Sequence, residues 1–243
     1  MRVGVYIDGF NLYYGGRSLA GRSTSGWRWL DLRGLATDLI NRRLNWTNAV
    51  VTHVVYCTAL IDGNENPSGR QDQDTYLRAL NAASVVDTIE LGHYVARLKT
   101  APLAVKGPTG KPQLAHPAWP IMVQDASGVP VPNAKFMVSV RQREEKGSDV
   151  NVASHLLVDV LSHAVDAAIV ISNDSDLRYP IQHARLHVPI GTVNPTSAHA
   201  AGDLRGRAHD GAGRHWWYQL TAADLRTHQL PDPCSGVTRP TGW

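Results

Sequence analysis

Cysteine and net charge are both scarce in this chain of 243 residues. The two cysteines, Cys57 in an apolar run and Cys234 near the end of the sequence, make neither a disulfide scaffold nor a zinc ribbon and read as reduced thiols. Lys and Arg number 24 against 21 Asp and Glu, a formal net charge of +3. That balance excludes a charge-driven coat protein for nucleic acid, while still allowing a local grip on a polyanion. No window approaches ~18 uninterrupted apolar residues, so no membrane span is expected. The apolar start, Val3 to Ile7, is too short for a signal peptide and runs into a charged residue, which makes the cytoplasm the expected location. No Gly-x-Gly-x-x-Gly follows the first apolar run, and Gly107 to Pro112 lacks the Walker spacing and its Ser or Thr. Dinucleotide-binding and P-loop enzymes are disfavoured accordingly, and no internal repeat is evident.

What is present is a soluble globular composition, 43% hydrophobic and 19% charged, long enough to bury a core without staples. Four short runs rich in Val and Ile, at 3–7, 50–59, 167–171 and 188–193, lack polar alternation, as parallel strands buried on both faces do. Between them lie stretches of helical period. Leu32, Leu35, Leu39 and Ile40 share one face; Val150, Ala153, Leu157, Val160, Leu161 and Ala164 share another, with Ser148 or Asp149 placed as N-cap. A third helix is predicted over about 176–186. Alternating strand and helix predict an α/β fold, a Rossmann-like three-layer α/β/α sandwich around a mainly parallel sheet. Seven of the fourteen prolines fall within 99–132, so that segment reads as a Pro-rich insertion, about 99–134, on a single domain of 1–243 whose core is about 1–98 and 135–195. Residues 136–143 read as a strand returning to the core. The stretch 195–214 reads as a mobile surface loop opening a tail that runs to 243.

Ligands of open parallel sheets bind beyond the carboxyl ends of the strands, near the point where strand order reverses. The first strand ends in Asp8-Gly9-Phe10-Asn11, the strand at 167–172 ends in Asn173-Asp174-Ser175-Asp176, and the helix at Ser148-Asp149 opens with a further acid. Clustered carboxylates oppose one another's ionisation, and a divalent cation relieves that penalty. All-oxygen sets suit Mg²⁺ or Mn²⁺.

The strings Val5-Tyr6-Ile7-Asp8-Gly9-Phe10-Asn11-Leu12-Tyr13, Glu145-Lys146-Gly147-Ser148-Asp149-Val150-Asn151 and Val170-Ile171-Ser172-Asn173-Asp174-Ser175-Asp176-Leu177 resemble the three signature blocks of NYN domains. These form part of the PIN-like nuclease superfamily, together with bacterial LabA-like (DUF88) proteins. The resemblance spans roughly 1–195 and implies a PIN-like sheet with an acidic, Mg²⁺- or Mn²⁺-dependent ribonuclease site. By motif position Asp8, Asp149 and Asp174 would bind metal, Asp176 would be a fourth catalytic acid, and Asn11 would fix Asp8 or contact substrate. His155 stands where relatives often carry another acid.

On that reading the chain is expected to hydrolyse RNA, with one or two ions activating water. Lys146 would offset charge on the scissile phosphate. RNA would be held by Arg17, Arg22 and Arg28 beside Trp27 and Trp29, and by Arg205, Arg207 and Arg214 beside Trp216 and Trp217, since single strands need basic grooves and stacking surfaces. A homo-oligomer is left open. Two alternatives stand beside the nuclease: a non-catalytic RNA-binding or regulatory module of the same fold, and a haloacid-dehalogenase-like phosphatase. The second is weakened because Phe10 occupies the position of the acid two residues after the nucleophile. The histidine spacings at 155/163 and 183/187 lack a His-Glu-x-x-His pattern and are read as ordinary helix faces, with His155 alone kept as a candidate metal ligand because it starts near the acidic edge.

Overall fold

The computed structural model describes residues 1–118, 121–199 and 202–243. The expectations for 99–134 and 195–214 therefore lie partly outside the described residues, at 119–120 and 200–201. In chain order the elements are β1 (Arg2–Asp8), α1 (Gly9–Ala20), α2 (Leu32–Asn41), β2 (Val50–Ala59), α3 (Pro67–Ala82), β3 (Thr88–Pro102), β4 (Ala104–Lys106) and β5 (Pro112–Leu114). They continue with β6 (Met137–Lys146), α4 (Ser148–Leu161), β7 (Ala167–Ile171), a 3₁₀ turn at Ser175–Leu177, α5 (Arg178–Arg185), β8 (Ile190–Asn194), α6 (Gly202–Arg205), β9 (Trp216–Gln219) and α7 (Ala222–Thr227).

Seven strands form one sheet in the order β6-β3-β2-β1-β7-β8-β9. The pairs β3–β2, β2–β1, β1–β7, β7–β8 and β8–β9 are all parallel. The α/β sandwich expected from the alternation is what the chain builds. Starting from β1, the chain adds β2 and β3 on one side and then returns to add β7, β8 and β9 on the other, so the order reverses between β1 and β7. This reversal places the crevice where such sheets bind ligands.

The two faces of the sheet follow the period-2 rule for strands. Val3, Val5 and Ile7 pack with Leu35 and Leu39 of α2 and Leu80 of α3, while Tyr6 packs on the other face with Val152, Leu156 and Val160 of α4 and Ile181 of α5. The apolar runs lack alternation because β1, β7 and β8 are covered on both sides.

The chain forms two compact units, Met1–Tyr94 with Glu145–Trp243, and Val95–Glu144. The second takes in the proline-rich segment. It contains the antiparallel pair β4–β5 and the Thr100 to Ser139 hydrogen bond, and Asp125 closes a turn by accepting from the N–H groups of Ser127 and Val129.

Three local expectations need correction. Helix α4 is capped by Gly147, at φ +101°, with no side-chain cap; Ser148 instead donates both its N–H and its hydroxyl to Glu145. A left-handed residue at that position suits glycine, and Gly147 supplies it. Residues beyond 195 are not a peripheral tail: β9 extends the sheet, and Leu220, Leu225, Leu230 and Cys234 belong to the core. The described part of 195–214 is tied down, not loose. The buried Arg185 guanidinium donates to Thr192 Oγ1 at 3.1 Å, to the Arg205 carbonyl at 2.7 Å and to the Leu204 carbonyl, and Leu204 is itself buried.

Arg185→Met removes the donor shared by those oxygens and strands buried acceptors. A stability loss on the order of 2–3 kcal/mol in urea denaturation is expected, together with faster protease cleavage within 202–214.

Candidate active site

Asp8 is the last residue of β1 and the N-cap of α1. Its carboxylate accepts from the Asn11 N–H at 2.9 Å and from the Ser172 hydroxyl at 3.0 Å, and only 4% of the residue is exposed. Ser172 stands at the end of β7, so this pair of bonds joins the two strands that flank the reversal. Two further bonds tighten the junction: the Asn173 N–H donates to Asn11 Oδ1 at 3.0 Å, and the Asp174 N–H donates to Ser172 Oγ at 3.1 Å. Burial pushes the Asp8 carboxyl up to about 6, the nearby charges of Asp174 and Glu145 add to the rise, and the Asn11 and Ser172 hydrogen bonds oppose it.

The structure therefore brings together Asp8, Asn11 and Asp174 and adds Glu145, near the end of β6. Asp174 caps the 3₁₀ turn by accepting from the Asp176 N–H, while Asp176 is exposed. Asp149 is half-buried in the first turn of α4. Among the described residues no three of His, Cys, Asp and Glu are gathered so as to hold a metal ion. His155 Nε2 lies 3.1 Å from Glu90 Oε1. Cys57, paired with Asp8 across the β1–β2 ladder, is fully buried; burial and the charges of Asp8, Glu90 and Glu145 push its thiol up to about 12.

A pocket of about 380 Å³ adjoins this junction, a size typical of small-molecule sites. Gly9 and Phe10 of α1, which Asp8 caps, form part of its wall, as do Tyr56 and Thr58 of β2 and Gln73 and Tyr76 of α3. Its lining holds eight aromatic side chains: Phe10, Tyr13, Tyr14, Trp27, Tyr56, Tyr76, Tyr94 and Trp243. The rings pack on one another, with Trp243 centred 5.7 Å from Tyr76 and 6.3 Å from Trp29, and Tyr13 5.6 Å from Trp27. The Trp243 indole donates to Asp72 at 3.3 Å, and the Tyr76 hydroxyl donates to the Leu30 carbonyl at 3.0 Å. At Gly9 an added Cβ would come within 2.6 Å of the Tyr56 ring and 2.8 Å of the Cys57 carbonyl, so glycine is what lets α1 begin against β2. Burial, with the charge of Asp8 adding to it, holds the Tyr56 hydroxyl protonated.

The stacking surfaces expected for RNA are mostly inside the protein. Trp27, Trp29 and Trp216 are buried in the core, and Trp217, under the Arg205 guanidinium at 4.2 Å, is the exposed member of the set. Arg22, Lys146 and Arg207 are surface residues. Arg28, assigned to the same groove from sequence, lies in the pocket wall instead. The pocket itself escaped sequence reading because α1 and α3 were not recognised. The signals were there: Asn66-Pro67, an N-cap followed by a helix-opening proline, and the Tyr76, Ala79, Leu80 spacing.

No family model matches the chain. Its whole length aligns, at 28% identity over 269 positions and 75% of the other chain, with a protein of Pseudomonas putida (strain DSM 28022 / S16) named 6-hydroxy-3-succinoylpyridine 3-monooxygenase HspA. A crystal structure of a protein of unknown function from Vibrio parahaemolyticus RIMD 2210633 covers 90% of this chain, and this chain covers 92% of it, at a TM-score of 0.43 and 12% identity. The match to a monooxygenase overturns the expectation of a metal-dependent ribonuclease: the full-length similarity is to an oxidoreductase.

Proposed function

We propose that this chain is an oxidoreductase that hydroxylates a small hydroxylated aromatic or heteroaromatic ring bound in the aromatic pocket. One observation carries the reading: a pocket of ring-binding size, walled by eight aromatic side chains, adjoins a buried carboxylate held near pKa 6. The full-length relative, named for a monooxygenase and for a hydroxypyridine bearing a succinoyl arm, supports oxygenation of an aromatic ring.

Aromatic walls suit a flat substrate, since offset and edge-to-face packing each add to the burial of ring area. In the reaction a ring C–H becomes C–OH. One oxygen atom of dioxygen enters the product, the other leaves as water, and a two-electron donor with two protons closes the balance. Asp8 is the residue suited to hold or pass a proton, because a group titrating near the working pH can do both. Ser172 and the Asn11 N–H position it.

The experiment is incubation of the purified protein with a panel of hydroxypyridines and phenols, reduced nicotinamide as electron donor, and ¹⁸O₂. The expected result is ring-dependent oxygen uptake with one ¹⁸O atom in the product; unlabelled product, or none across the panel, would sink the reading.

Asp8→Asn keeps the size of the side chain and an acceptor for the Asn11 N–H but removes the titrating group. Turnover is expected to fall by ~100-fold or more. Folded Asp8 holds its proton to about pH 6, against 3.8 for an ordinary aspartate, so wild-type stability declines as pH climbs between those values. The variant lacks that decline. Its stability advantage over wild type, measured by urea denaturation, should widen from pH 4 to pH 7 by on the order of 2–3 kcal/mol.

A further inference from the structure

The pocket wall holds one cation and one carboxylate among its described residues, Arg28 and Asp72. Asp72 accepts from the Trp243 indole. Arg28 is held in place by neutral partners: its guanidinium donates to the Arg22 carbonyl at 2.9 Å and to the Gly242 carbonyl at 3.0 Å, and lies over the Trp27 ring at 4.8 Å. A guanidinium carries five N–H donors in a planar fork, so two carbonyl bonds leave capacity for a further acceptor. The fork is already oriented, and a ligand binding to it would not have to order it.

We infer that Arg28 is the specificity residue of this pocket and that its ligands are aromatic rings carrying an anionic arm, a carboxylate paired with the guanidinium. The inference rests on the reading of the pocket as a ring-binding site and adds the chemical class of the substrate. The ring supplies buried area among Tyr56, Tyr76 and Trp243, and the arm supplies charge at Arg28. A carboxylate matches the fork in two-point geometry, which a hydroxyl or amide arm does not. The same guanidinium selects against cationic arms.

The test uses the full chain and two probes of equal shape, 3-(4-hydroxyphenyl)propionate and its amide, with binding followed by calorimetry. Wild type is expected to bind the carboxylate ~10- to 100-fold more tightly than the amide, the range of one charge-assisted hydrogen-bonded contact. Arg28→Gln and Arg28→Met should remove that preference while leaving amide affinity within about threefold, and Arg28→Lys should restore part of it. Because Arg28 also anchors Gly242, a purely structural role would weaken both probes alike, and that outcome overturns the inference. Equal affinity of wild type for the two probes overturns it as well, but leaves the ring-binding pocket standing if Tyr76→Ala weakens both. If neither probe binds wild type, the pocket reading fails together with the inference.

Discussion

The bond from the Ser172 hydroxyl to the Asp8 carboxylate, at 3.0 Å, joins the ends of the two strands between which the sheet changes direction. The same carboxylate caps α1, so a single side chain fixes where β1 stops, where the helix starts and how the β7 loop approaches. Holding it there in near-complete burial, with Asp174 and Glu145 close by, is unfavourable to its ionised form. Strain of this kind is characteristic of functional sites, where the groups that do chemistry are kept in surroundings they would not choose. The Gly9 contact with Tyr56 extends the constraint into the pocket, because α1 can start against β2 only without a side chain at that position.

Aromatic residues make up only 7% of the chain, and they are concentrated: eight line one cavity. They come from α1, the 27–30 segment, β2, α3, β3 and the last residue, so the cavity exists only once distant parts of the sequence have folded together. Several of the rings that line the cavity also build the core. Tyr76 and Trp29 are core residues by burial, yet Tyr76 also presents a face to the cavity. A cavity wall made from the core is rigid, and its shape is maintained by the same packing that keeps the protein folded.

Much of the fold was legible because the signals are local. The runs at 3–7, 50–59 and 167–171 coincide with strands, and the apolar spacing of 32–40 and 150–161 with helices. Helix α1 was hidden because Gly15, Gly16 and three aromatic residues give its sequence little helical propensity. Tertiary contact accounts for it: a Cβ at Gly15 would meet the Pro195 backbone, and one at Gly16 the Trp27 ring. The acids at the ends of β1 and β7 were recognisable from their position after buried strands, and the structure brings Asp8 and Asp174 within electrostatic reach. The pocket was not legible, since it is assembled from residues with no common spacing. The acids alone did not decide the chemistry either: buried carboxylates serve hydrolytic and oxidative enzymes alike, and the full-length relative is named for a monooxygenase.

Cys57 sits beside Asp8 in the β1–β2 ladder, where full burial, with the charges of Asp8, Glu90 and Glu145 adding to it, pushes its thiol up to about 12. A thiol so placed remains protonated throughout the physiological range, and a protonated sulfur is a poor nucleophile toward peroxide or disulfide. The burial that raises the Asp8 carboxyl, with the nearby acids adding to it, thus also keeps the Cys57 thiol unreactive. The sulfur beside the buried Asp8 carboxylate is thus kept inert by burial first and by the neighbouring charges second.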